Sequence, residues 1–215
     1  MRGAPVCPRC FGPLNEPNIW SSAWRCDAHC DVLPLQPPWR PSNGALEALT
    51  SNARVPVWLP WPLPANWLVS GFAAAGDERT RFRASVVALT GPSVLHGPAD
   101  MLIIAEEPGV GLGANFAGLP GPDPGDGFAT GPPHATIELR GHTVALWCAG
   151  AAVPGDRAAY VGEALGNWVW TVTWPAEVGC LIELEDLTLR DLRDDDQALD
   201  LPFGAFSPRL QWNRA

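Results

Sequence analysis

The sequence predicts an α+β protein in which a small N-terminal ribbon precedes a mostly antiparallel sheet domain with one or two helices. Three observations carry that expectation. Two cysteine knuckles fall within the first thirty residues, a proline-rich stretch follows them, and from Asn66 onward short apolar runs alternate with turns bearing Gly or Asn. The corresponding divisions are a ribbon over 1–33, a connector over 34–54 and an α+β domain over 55–215.

The ribbon rests on its cysteines. Cys7-Pro8-Arg9-Cys10 is a C-x2-C turn, and Cys26-Asp27-Ala28-His29-Cys30 offers a second knuckle after an intervening segment of 15 residues, 11–25. Such a turn brings two thiolates together with backbone N–H groups aimed at the sulfurs, and a hairpin returns the second pair to complete one tetrahedral site. Cys7, Cys10 and Cys26 supply three ligands. The fourth is His29, giving C-x2-H, or Cys30, giving C-x3-C; regular knuckle spacing favours His29. The expected cofactor is a structural zinc ion, because four protein ligands close the coordination sphere and leave no position for substrate or activated water. A redox C-x-x-C would open a helix, whereas Phe11-Gly12-Pro13-Leu14 follows here. Trp20 and Trp24 are expected to form a miniature core, with metal binding supplying much of the remaining folding energy.

In the connector, Pro34, Pro37, Pro38 and Pro41 keep the chain extended, and only Ala45–Leu49 suggests a helical turn. Val57–Pro64 continues the pattern, with Trp58 and Trp61 set among prolines. That segment is hard to bury completely and is the expected docking surface for a partner.

The body reads as strands. Trp67–Ala75 and Phe82–Thr90 form a hairpin across Gly76–Arg79, Met101–Ala105 is apolar enough to be covered on both faces, and Ala135–Arg140 pairs with Thr143–Ala149 across Gly141-His142. Ala158–Glu163 and Trp168–Trp174 make a further pair. Pro175 opens a helix running to about Glu185, weakened by Gly179, and Leu187–Leu192 alternates like a strand. On Trp168–Trp174 the expectation is that Trp168, Trp170 and Trp174 face the core while Val169, Thr171 and Thr173 face solvent. Cys148 and Cys180 read as small core residues.

Charge narrows the function classes. All 14 basic residues are arginine, against 23 acidic ones, for a net charge of -9 and a pI near 4.8. Nucleic acid is excluded as a partner, since phosphate neutralisation needs clustered positive charge. Arg79, Arg81 and Arg83 are expected to decorate one solvated strand face. The start of the chain lacks the apolar region of a secretory signal, and the uncharged stretch Val55–Gly76 is interrupted by Pro56, Pro60, Pro62 and Pro64. The expectation is therefore a cytoplasmic protein without a membrane span.

Candidate chemistry outside the ribbon centres on Gly109-Val110-Gly111-Leu112-Gly113. It resembles a phosphate loop in glycine content alone, since no βαβ unit surrounds it and no Gly-Lys-Ser/Thr occurs, so it is read as structural. Glu106, Glu107, Asn115 and Asp123, with Asp126, would form a small-ligand site if that loop folds back over the sheet. His96, His134 and His142 are dispersed. Two functions follow. The first is a non-enzymatic adaptor whose Trp/Pro surface binds a protein partner or small molecule. The second is an enzyme acting on an acyl or phosphorylated metabolite near Glu106–Asp126.

Met1-Arg2-Gly3 with the Cys-Pro-Arg-Cys knuckle, Val55–Pro64, Ala105–Gly113, Gly162-Glu163-Ala164-Leu165-Gly166 and Ser207-Pro208-Arg209-Leu210 together resemble an uncharacterised actinobacterial family over nearly the whole chain. Its members look like zinc-ribbon proteins with C-x2-C and C-x2-H knuckles. The resemblance implies zinc ligation by Cys7, Cys10, Cys26 and His29, and no established activity. Some members carry a phosphotransacetylase label, which this chain does not support, being short for that class and lacking lysine and a phosphate loop.

Overall fold

The computed structural model describes residues 3–93, 97–150, 152–184, 187–194 and 200–212. His96 and Glu185, the far end of the expected helix, lie outside them. The architecture is α+β: a small antiparallel ribbon, then a large curled sheet with few helices. Strands β1 (Trp24–Cys26) and β2 (Cys30–Val32) form the ribbon. The connector carries helix α1 (Asn43–Asn52), started by Ser42, whose hydroxyl accepts from the Ala45 N–H at 3.2 Å, and it sets Ala45 and Leu49 into the core.

The sheet comprises β3 (Trp58–Pro60), β4 (Leu68–Asp77), β5 (Arg81–Pro92), β6 (Pro98–Glu106), β7 (Ala135–Leu139), β8 (His142–Cys148), β9 (Ala158–Ala164), β10 (Asn167–Trp174) and β11 (Leu187–Asp191). Their spatial order is β3-β11-β7-β8-β9-β10-β6-β5-β4. All pairings are antiparallel except β11 with β7. The β4–β5 turn is fixed by Asp77, whose carboxylate accepts from the N–H groups of Arg79 and Thr80. The outer flank of β4 is paired by remote backbone: Leu35 bridges Ala75, Trp39 bridges Phe72, and Phe203 bridges Val69.

Period-two alternation gives the sheet two apolar faces. Phe72, Leu89, Met101, Ile103 and Val169 pack with α1, β3 and the helical turns after β10. Val86, Leu102, Ile104, Val161 and Trp170 pack on the other side with Val6, helix α2 (Leu112–Ala117) and Leu210. Burial on both faces corrects two expectations. Val169, Thr171 and Thr173 are as buried as Trp170 and Trp174, because β10 is an interior strand covered on both sides. Trp58 is only 1% exposed, since the proline-flanked β3 lies among the core residues instead of over the surface.

The remaining elements follow from local chemistry. Pro175 precedes a 3-10 turn (Ala176–Gly179) that runs into α3 (Cys180–Leu184). Asp191, buried at the end of β11, accepts from the Val57 N–H and from Arg193 and Arg140; against the upward push of burial, Arg193 and the Val57 N–H hold its carboxyl below the usual range. Among the described residues, no helix is long and apolar enough to cross a membrane.

Candidate metal centre

The two knuckles converge. Cys7, Cys10, Cys26 and His29 place their ligand atoms within 4.8 Å of one another, a cluster that could hold a metal ion. The separations test the fit. A tetrahedral ion with metal–sulfur bonds of ~2.3 Å and a metal–nitrogen bond of ~2.05 Å requires S···S edges of ~3.8 Å and S···N edges of ~3.6 Å. The Cys10 and Cys26 sulfurs are 3.8 Å apart, and His29 Nδ1 is 3.6 Å from the sulfurs of both Cys7 and Cys26. Cys30 is exposed, opens β2 with a positive φ of 56°, and is not part of the cluster.

The thiols are unequal. Burial pushes Cys7 up to about 12, helped by its neighbouring cysteines and opposed by the Arg9 N–H. At Cys26 burial also pushes upward, but the Ala28 N–H and His29 outweigh it and bring the thiol down to about 7. Cys26 is thus the more readily ionised of the two, while at Cys7 a cation must displace a firmly held proton.

The knuckle is seated on the sheet by residues about a hundred positions away. Arg9, between the first two cysteines, donates from Nε to the Val110 carbonyl at 3.2 Å and from Nη2 to the Gly109 carbonyl. Asn115 Nδ2 donates to the Pro8 carbonyl at 2.8 Å. Phe11, at the turn after Cys10, stacks on Trp212 at 5.3 Å and meets Phe116 of α2 at the same distance. Trp24 donates its indole N–H to Asp77 at 3.1 Å. Here the glycines explain themselves. Gly111 has φ +86°, and a Cβ there would stand 2.9 Å from Arg9 Cγ; a Cβ on Gly113 would stand 2.3 Å from the Trp170 ring. The glycine-rich loop is a cradle for the knuckle on one side and for Trp170 on the other.

The acidic candidates serve that same loop. Glu106 is fully buried and accepts from the N–H groups of Leu112 at 2.7 Å and Gly113 at 3.1 Å, starting α2. Burial pushes its carboxyl up to about 8, with the two N–H groups and the nearby Trp170 indole pulling the other way. Asp123 does fold back, accepting from Gly109 N–H at 2.8 Å and Trp168 Nε1 at 2.7 Å. Glu107 turns aside to Arg83, whose Nε donates to it at 2.6 Å. Glu106, Glu107, Asn115 and Asp123 therefore spend these polar atoms on the fold. Trp61 is half-buried under Arg190, whose guanidinium lies 5.8 Å from the ring centre.

Arg79 and Arg81 are exposed, as expected, while donating to the Ser22 and Ser51 carbonyls; Arg83 is half-buried and pairs with Glu107. One further expectation is corrected. Trp20 is not part of a miniature ribbon core. Ile19 and Trp20 are 90% and 89% exposed, at a turn held by paired backbone bonds between Asn18 and Ser21 and by Asn18 Oδ1 accepting from the Trp20 and Ser21 N–H groups. Asn18, a turn former followed by two large apolar residues, was the sequence signal for this tip.

No curated protein and no solved structure matches the chain. The sequence profile of a family of unknown function (DUF6758) does match, over residues 1–210, and the chain belongs to that family.

Proposed function

We propose that the protein is a cytoplasmic zinc-ribbon adaptor that grips a protein partner with the Ile19–Trp20 tip. Zinc is the ion of choice because three thiolates and an imidazole at tetrahedral edge lengths suit a closed, redox-silent structural site. Six free thiols suit a reducing compartment. The observation that carries the docking role is the pair of large apolar side chains, 90% and 89% exposed, on a turn whose backbone is tied down. A rigid, protruding tryptophan is the kind of group that dominates binding energy when a partner's pocket closes over it. The ribbon sets the tip, and the seat formed by Arg9, Asn115 and Phe11 holds the ribbon to the body.

The test compares metal-loaded wild-type chain with Trp20→Ala as bait in an extract of the source cell. A protein retained at least tenfold better by wild type, with the two baits melting at the same temperature, supports the reading. Equal capture by both baits overturns it.

A further inference from the structure

A cavity of about 310 Å³ lies where the ribbon meets the β4–β5 turn, and its wall includes Arg9, Trp24, Asp31, Asp77, Arg79 and Arg83. Three arginines around one hollow stand out in a chain carrying a net charge of -9. Each guanidinium is anchored along part of its edge. Arg9 gives Nε and Nη2 to the Val110 and Gly109 carbonyls, Arg79 gives Nη2 to the Ser22 carbonyl at 2.5 Å, and Arg83 gives Nε and Nη2 to Glu107. The Nη1 groups of all three, and Nε of Arg79, have no partner among the described residues. Arg9 and Arg79 moreover have no carboxylate within ion-pair distance among the described residues, so their charges are met by carbonyl dipoles alone.

With Asp31 paired to Arg25 and Arg83 to Glu107, the ionised Asp77 offsets one of the two charges left on Arg9 and Arg79, so the wall keeps a single net positive charge. Asp77 is spent on donors: the Trp24 indole, the Thr80 hydroxyl, and the N–H groups of Arg79 and Thr80. Asp31 pairs with Arg25 at 3.3 Å. What remains on the wall is donor capacity on planar cations anchored at part of their edge, which matches the geometry of phosphate or carboxylate oxygens. The Trp24 ring supplies an apolar wall for an organic body, and the volume falls at the small end of metabolite sites, ~300–1,000 Å³.

We infer that this cavity is a binding site for a small organic oxyanion, a phosphate ester or a carboxylate, held jointly by Arg9 of the ribbon and by Arg79 and Arg83 of the sheet. The site is separate from the Ile19–Trp20 tip, so Trp20→Ala should bind the anion as wild type does.

The experiment is isothermal titration of the metal-loaded full-length chain with pyrophosphate and with citrate, each at ionic strength matched by sodium chloride. Saturable binding at one site is expected, weakened at least tenfold by Arg79→Gln and unchanged by Arg40→Gln, an arginine over Phe206 and absent from the cavity wall. Arg79 is exposed, so its variant should fold; an unchanged melting temperature checks this, and Arg83→Gln provides a second variant with the same expected loss. Binding of pyrophosphate alone assigns a phosphate ester, of citrate alone a carboxylate, and of both a general oxyanion site. No saturable heat with either anion, or equal weakening by Arg79→Gln and Arg40→Gln, overturns the inference.

Discussion

Replacing Trp58 and Trp20 separately by alanine distinguishes a tryptophan that builds the fold from one that meets a partner. Trp58 is 1% exposed and sits in the core with α1 and the strands around it, so Trp58→Ala deletes a full indole from a packed interior. Truncations of this kind cost ~3–5 kcal/mol, combining lost transfer energy with the cavity left behind. For a chain of 215 residues the unfolding entropy is ~0.45 kcal/mol/K, so the melting temperature should fall by about 7–11 °C. Trp20 is 89% exposed, and its removal should change stability by no more than ~0.5 kcal/mol, about 1 °C. Differential scanning calorimetry on metal-loaded protein reads both. A Trp58→Ala variant that melts with wild type would refute the burial of β3, and a Trp20→Ala variant that loses several degrees would show that this side chain is part of a core.

Two further outcomes follow from the metal centre and the loop. Cys26→Ser should abolish stoichiometric metal and release amide-exchange protection over residues 3–33, while Cys180→Ser should retain full metal by elemental analysis; equal metal loss in both would defeat the site. Glu106 gives a pH signature, because its folded-state value of about 8 lies above the ordinary 4.5. The folded chain then holds a proton that the unfolded chain has released, so this group's stabilising contribution is full below about 4.5 and declines as pH rises towards about 8, by ~1.4 kcal/mol per pH unit. Urea denaturation of wild type against Glu106→Gln between pH 5 and 7.5 should show the variant's slope shallower by that amount, and parallel slopes would contradict it.

What the sequence discloses here depends on how local the determinants are. The knuckle spacings are set within a few residues, so the donors within each pair are close in sequence as well as in space, and the hairpin between the pairs brings them to one centre. Strands from Leu68 to Asp191 are legible because their turn residues lie between them. The seat of the ribbon is not, since Arg9 meets carbonyls a hundred residues later that carry no side-chain signature. Trp58 among prolines looks like an exposed extended segment, and only the curl of the sheet brings it inside. Alternation along β10 suggests one wet face, but α2 and the ribbon cover one side and the remaining core the other, so threonines are buried with tryptophans.

The cover on β4 bears on how the protein can be divided. Trp39 exchanges backbone bonds with Phe72 in both directions, Gln36 donates to the Ala74 carbonyl, and Gly76 donates to Pro34. A chain trimmed to begin at residue 41 would keep its sheet but bare this row of donors and acceptors, an open template for strand addition by another copy. Such a fragment would also lose the cover that Val6, Leu33 and Leu35 give one apolar face, so the polypeptide segment before residue 41 shields a strand flank and part of that face as well as carrying the ribbon.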